Sequence, residues 1–204
     1  MNFFKNIFQK PKYANPALNT LYRSEGAFDA DVGKMADLLP KLSETYEEGG
    51  AYLLHKTLLS QFEEYDAQYG RSLSEEMNEE KSARMLRKVT SLMLVSFFRE
   101  LSSIYPEGPY PGALTDALHY EMYGVLPAED SFVDYLRYQN PNFEDARMAP
   151  AYKFGNDIAE ILAIPDLSFS FMAAQQAAVI SDISKRLMRW VFFDEPIESP
   201  PQTP

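Results

Sequence analysis

The chain has 204 residues, 46% hydrophobic and 14% aromatic, enough for one domain with a packed core and too apolar for a disordered chain. It has no cysteine and two histidines, which excludes a disulfide scaffold, a thiolate metal site, a cysteine nucleophile and any multi-histidine metal centre. The net charge of −11 lacks the basic surface that phosphate contacts need, so nucleic acid is not an expected partner.

The chain opens on a short basic aromatic segment, residues 1–15. On a helix Phe3, Phe4, Ile7 and Phe8 share one face, with Lys5 and Lys10 elsewhere. It is too short, and lacks the small-residue cleavage site, for a signal peptide. It is expected to fold back on the domain, with contact to an anionic membrane surface as the lesser alternative. A single helical domain over 16–193 follows, and the proline-rich end, 194–204, reads as a disordered tail.

Asn15-Pro16 starts a short helix to about Tyr22. Asp29 or Asp31 caps the next, with Val32, Met35, Leu38 and Leu39 inward. Pro40 is expected to end or kink it, and Gly49-Gly50 to stop it. Ala51–Gln68 then repeats Leu54, Leu58, Phe62 and Tyr65 at helical spacing, with His55 as a partly buried structural residue, and Gly70 ends the run. A glutamate-rich approach, net −10 over 24–80, leads into the central segment.

That segment, Lys81–Tyr105, has no Gly or Pro and as a helix is about 37 Å long. Leu86, Val89, Met93, Phe97 and Ile104 form one apolar stripe; Leu94, Phe98, Leu101 and Tyr105 form another. Two stripes mean burial on more than one side, most deeply over Val89–Phe98. Its basic ends are expected to serve as internal counter-charges for the acidic segments around it. Pro106 closes it. Shorter helices follow at Ala113–Tyr123, after Pro127 with Phe132, Tyr135 and Leu136 inward, for one turn over Phe143–Ala149, and from Pro150 to Ala163. The second long apolar helix spans Leu167–Phe192, with an expected inward stripe of Met172, Gln176, Val179, Ile183, Leu187 and Trp190, widened by Ile180 and Val191. Its small residues Ala173, Ala174, Ala177 and Ala178 are expected to let the central helix approach closely. The fold class is therefore all-α: an irregular bundle of seven to nine helices around two long apolar ones, about 75–105 and 167–192. The uncharged spans of both fall short of the roughly 20 residues a bilayer requires.

Chemistry is sparse. There is no phosphate loop, zinc-protease motif or nucleophile elbow. The nearest approach to a site is Asp116, His119 and Glu121. Asp116 and His119, three apart, lie on one helix face and would suit a carboxylate-oriented base or half a metal site, though such a pair is commonly a surface interaction. No second Glu-x-x-His unit exists to complete a di-metal bundle. No cofactor and no metal is expected.

The region after the central helix is rich in tyrosine among acids. Tyr110, Tyr120, Tyr123, Tyr135 and Tyr138 are candidate contacts for a partner protein, because tyrosine offers area with a polar tip at low entropic cost. The competing expectation is that these rings fill gaps between short helices. The reading is a non-enzymatic, acidic, cytoplasmic protein-binding module, of immunity, antitoxin or adaptor type, with a basic protein as the best-matched partner. The alternative is a helical-bundle ligand-binding protein or enzyme with a pocket near Asp116 and His119.

Overall fold

The computed structural model describes residues 13–25, 30–70, 73, 77–127, 131–137, 149–164 and 166–196. The expected N-terminal segment up to residue 12, the turn over Phe143–Ala149 up to residue 148, and the tail beyond residue 196 lie outside them. Within them the protein is all-α: α1 (Pro16–Glu25), α2 (Ala30–Leu53), a π-helical segment (Leu54–Leu59), α3 (Ser60–Tyr69), α4 (Glu79–Ile104), α5 (Tyr110–Tyr123), α6 (Ser131–Arg137), α7 (Ala149–Ile161) and α8 (Leu167–Phe193).

Helix α4 is the centre. It packs against α2, α5, α6, α7 and α8. Asn78 caps its start by accepting from the Lys81 amide at 2.8 Å. Every residue from Val89 through Phe97 is buried, which is the stretch the sequence marks as deepest. Ile104, expected in the stripe, is exposed at the helix end.

One basic residue of α4, Lys88, acts as a counter-charge to an acidic neighbour. Lys88 Nζ lies 3.0 Å from Asp157 of α7, a carboxylate that is 5% exposed and also bridges Lys153 and the Tyr135 hydroxyl. In the other direction, Glu100 of α4 accepts from Arg189 of α8 at 2.6 and 2.9 Å. A polar staple joins three helices: Ser184 donates to the Met93 carbonyl at 2.9 Å and shares a hydrogen bond with the Tyr46 hydroxyl at 2.8 Å.

Helix α2 ends neither at Pro40 nor at Gly49-Gly50. Pro40 lies inside the helix, exposed, while Leu39 and Leu42 beside it are fully buried; their packing carries the helix across a residue that would end an isolated one. Gly49-Gly50 is a contact. A Cβ on Gly49 would stand 2.8 Å from Leu187 Cδ1, and one on Gly50 2.9 Å from Thr90 Cγ2. The pair lets α2 lie close to both α8 and α4. The helical run ends only at Gly70, whose φ of 65° is the left-handed cap the sequence predicts.

His55 is exposed, not partly buried. It falls in the π-helical segment, where Leu54 and Leu58 turn inward and His55 turns out. The small residues of α8 meet α7 most closely, not α4: a Cβ on Gly155 would sit 2.1 Å from the Ser170 carbonyl oxygen and 3.0 Å from Ala174 Cβ. Ala178 is exposed.

The largest departure concerns which face of α8 is inside. The buried residues are Phe169, Ala173, Ala174, Ala177, Ile180, Ser184, Met188, Val191 and Phe192. Ile180 and Val191, expected to widen the stripe, are buried, and the rest of the expected stripe is rotated from these by about one residue, roughly 100° around the helix. Val179 is 43% and Trp190 38% exposed, and Ile183 and Leu187 are only partly covered. Alanine and serine, less conspicuous in the sequence, share the inner face with Phe169, Ile180, Met188 and Val191, and Ala174 lies where α7 comes closest.

Candidate functional site

The displaced stripe of α8 forms one wall of a groove, and α2 forms the other. Thr45, Glu48, Gly49 and Tyr52 come from α2; Val179, Asp182, Ile183, Arg186, Leu187 and Trp190 come from α8. The residues of the α2 wall recur every three or four positions, as one face of a helix must. The missing side chain at Gly49 brings Leu187 against the α2 backbone and closes the floor. The groove encloses about 530 Å³. Tyr52 is 59% exposed on one lip.

Its polar groups are arranged at the edges. Asp182 and Arg186 pair at 2.8 Å one helical turn apart. Lys41 Nζ stands 4.8 Å from the centre of the Trp190 ring, a cation–π contact. Thr45 donates to the Lys41 carbonyl at 2.7 Å, so its hydroxyl is engaged in its own helix. Glu48 is exposed on the α2 lip, and Glu44, one turn earlier, is exposed as well. The lining therefore combines an apolar floor, a net acidic α2 edge and a neutral α8 edge. It holds no activated nucleophile and no paired acid and base.

A second hollow of about 550 Å³ lies between Glu47, Arg84, Leu86, Arg87, Thr90, Met122 and Tyr123. Its groups are largely matched to one another. Arg87 lies 4.6 Å over the Tyr123 ring, and Thr90 and the Tyr123 hydroxyl are hydrogen-bonded.

The sequence candidates fall elsewhere. His119 is fully buried. Its Nδ1 donates to the Val125 carbonyl at 2.9 Å, and its ring lies 4.8 Å from Tyr123 and stacks on Phe132 at 5.9 Å. It fastens the turn after Gly124 to α5. Asp116 is half-buried, and burial raises its carboxyl above the ordinary value, an effect that His119 partly opposes. Glu121 accepts from Asn15 at 2.7 Å and anchors the start of α1. Asp116 and His119 thus share a helix face, but His119 points into the core, and Glu121 is committed to another helix. Among the described residues no group of three metal-ligating side chains is placed to hold an ion.

Of the tyrosines, Tyr135 is fully buried with its hydroxyl donating to Asp157 at 3.0 Å, so it offers no surface to a partner. Tyr110, Tyr120 and Tyr123 are half-buried, with Tyr110 packed edge-on against Tyr105 at 6.0 Å. Tyr138 lies outside the described residues. Tyr52, Val179, Ile183, Leu187 and Trp190 form an open apolar surface; the α8 members escape sequence reasoning because their periodicity reads as an inner face, and Tyr52 because it belongs to no stripe. The available signal was that α8 has two apolar stripes, one of large residues and one rich in small ones.

Comparison with protein-family models, with curated proteins and with solved structures gives no match. Among the described residues, no helix is long and apolar enough to cross a membrane.

Proposed function

We propose that this protein is a binding module that takes a helical segment of another protein into the groove between α2 and α8. The observation that carries the reading is the exposed apolar stripe of α8, facing Tyr52 across a floor closed by Gly49. Tyr52, Val179 and Trp190 expose 59%, 43% and 38% of their surface in one place, where a solitary monomer tends to scatter such residues. An amphipathic helix laid into such a groove buries its anchors at helical spacing. The Glu44 and Glu48 edge, together with the chain's net charge of −11, favours a partner helix with lysine or arginine along one flank. An inhibitor of immunity or antitoxin type, or an adaptor, is the narrower form of this reading.

A photo-crosslinking residue in place of Val179 tests it. The expected result is a discrete covalent adduct with a partner chain in native lysate, lost when Tyr52→Asp is added. The same residue in place of exposed Glu160, on α7, gives the background. Adducts from Val179 no more frequent than from Glu160 would sink the reading.

A further inference from the structure

The reading above leaves the groove without a named occupant, and the chain itself carries a segment of the required chemistry. Residues 1–12, MNFFKNIFQKPK, contain three lysines and no acid, within a chain whose net charge is −11. At helical spacing, Phe3, Phe4, Ile7 and Phe8 make an aromatic and aliphatic face with the lysines outside it. The groove presents the complement: apolar Tyr52, Val179, Ile183 and Trp190 beside the acidic edge of Glu44 and Glu48. We infer that residues 1–12 are a ligand of the groove and compete there with the partner helix. This rests on the docking function proposed for that groove.

The tether sets the reach. The described chain begins at Tyr13, held by its amide donating to Asn19 and by an edge contact with Tyr22. With Phe3 to Phe8 seated as a helical face, residues 9–12 form the tether, which spans at most about 17 Å from Tyr13. Affinity need not be high, because a tethered ligand has an effective concentration in the millimolar range. A weak internal ligand of this kind sets a threshold that a true partner must exceed.

The molecule provides its own reporter. Trp190 is the sole tryptophan, and it lines the groove. A chain lacking residues 1–12 is compared with the full chain by tryptophan emission, and a synthetic peptide of residues 1–12 is then titrated into the shortened protein. The expected results are emission at longer wavelength in the shortened chain and a saturable return on adding peptide. A peptide with Phe3, Phe4, Ile7 and Phe8 all changed to serine, and the shortened protein carrying Val179→Asp, should each weaken the response about tenfold or more.

Unchanged emission on truncation, with no saturable effect of the peptide, overturns the inference. An undiminished response to the serine peptide overturns it too, since charge alone would then account for binding. The two proposals fail separately. If the peptide does not bind but Val179 still crosslinks a partner, only the internal ligand is lost. If the peptide binds and no partner crosslinks in either chain length, the docking function is lost and the groove is an internal site.

Discussion

At the scale of single residues, the protein is held by a few buried polar groups, each with several partners. Asp157 receives Lys88, Lys153 and the Tyr135 hydroxyl in a site 5% exposed. Burial and the adjacent carboxylate push the Tyr135 phenol far above its ordinary range, so it stays a donor at any pH the fold survives. Asp157→Ala removes the acceptor shared by Lys88, Lys153 and the Tyr135 hydroxyl. The lysines retain some access to water, so the cost should fall below that of a fully buried pair, at about 2–3 kcal/mol in urea unfolding. A variant as stable as the parent would show the cluster to be energetically neutral.

Asp116 gives the opposite case. Its raised pKa means the folded state holds its proton more tightly than the unfolded one. Stability from this group is therefore greatest at low pH and falls as pH rises from the ordinary value of 3.8 through the raised one. Asp116→Asn should raise Tm at pH 7 by a few degrees at most, with the gain absent near pH 3.5. A loss of stability at pH 7 would mean that its attraction to His119 outweighs burial.

Both networks show what a sequence withholds. The net charges of the segments are readable, and they predict that bases of α4 face acids of its neighbours. Which acid meets which base depends on helix crossings, and Asp157 looks no different in sequence from exposed Glu160.

At the scale of elements, glycine and proline mislead most. Read locally, Pro40 and Gly49-Gly50 divide α2; in the structure the helix passes through both. Gly70 and Gly124 behave as the sequence predicts, with φ of 65° and 70°. The difference lies in what surrounds them. Nothing lies within 4 Å of a Cβ built on Gly70 or Gly124, so only backbone conformation explains their glycine, whereas Gly49, Gly50 and Gly155 each face another helix.

This gives a paired prediction. Gly155→Ala would place its Cβ 2.1 Å from a backbone oxygen that cannot rotate away, so α7 and α8 must separate. The expected cost is about 3 kcal/mol or more, at the upper end of overpacking effects. Gly112→Ala, in α5 with open space around it, should instead stabilise by about 0.5–1 kcal/mol through the unfolded chain and helix propensity. Thermal unfolding of both checks it, and equal effects would show that close approach is not why Gly155 is there.

At the scale of the whole molecule, α8 faces two ways. One side packs against α7, α4 and α2, and the other carries large apolar residues into an open groove. Stability and docking should therefore separate. Val179→Asp combined with Tyr52→Ser should shift the unfolding free energy by no more than about 0.5 kcal/mol, as for surface positions. Met93→Ala, at a fully buried position of α4, should cost about 2–5 kcal/mol. A groove variant that unfolds the protein would move that stripe back into the core.

By itself, the sequence determined the fold class, the central helix and its buried middle, most helix ends and the long apolar span of α8. These follow from local periodicity, and a helix with a strong apolar pattern needs little else to declare itself. Only the tertiary structure decided which stripe of α8 lies inside. The close approach of α7 at Gly155 calls for a small residue at Ala174; Phe169, Ile180, Met188 and Val191 fill the rest of the inner face, and Val179, Ile183, Leu187 and Trp190 are left to line the groove. Periodicity gives the angle between two faces of a helix; the neighbour's distance decides which of them is covered.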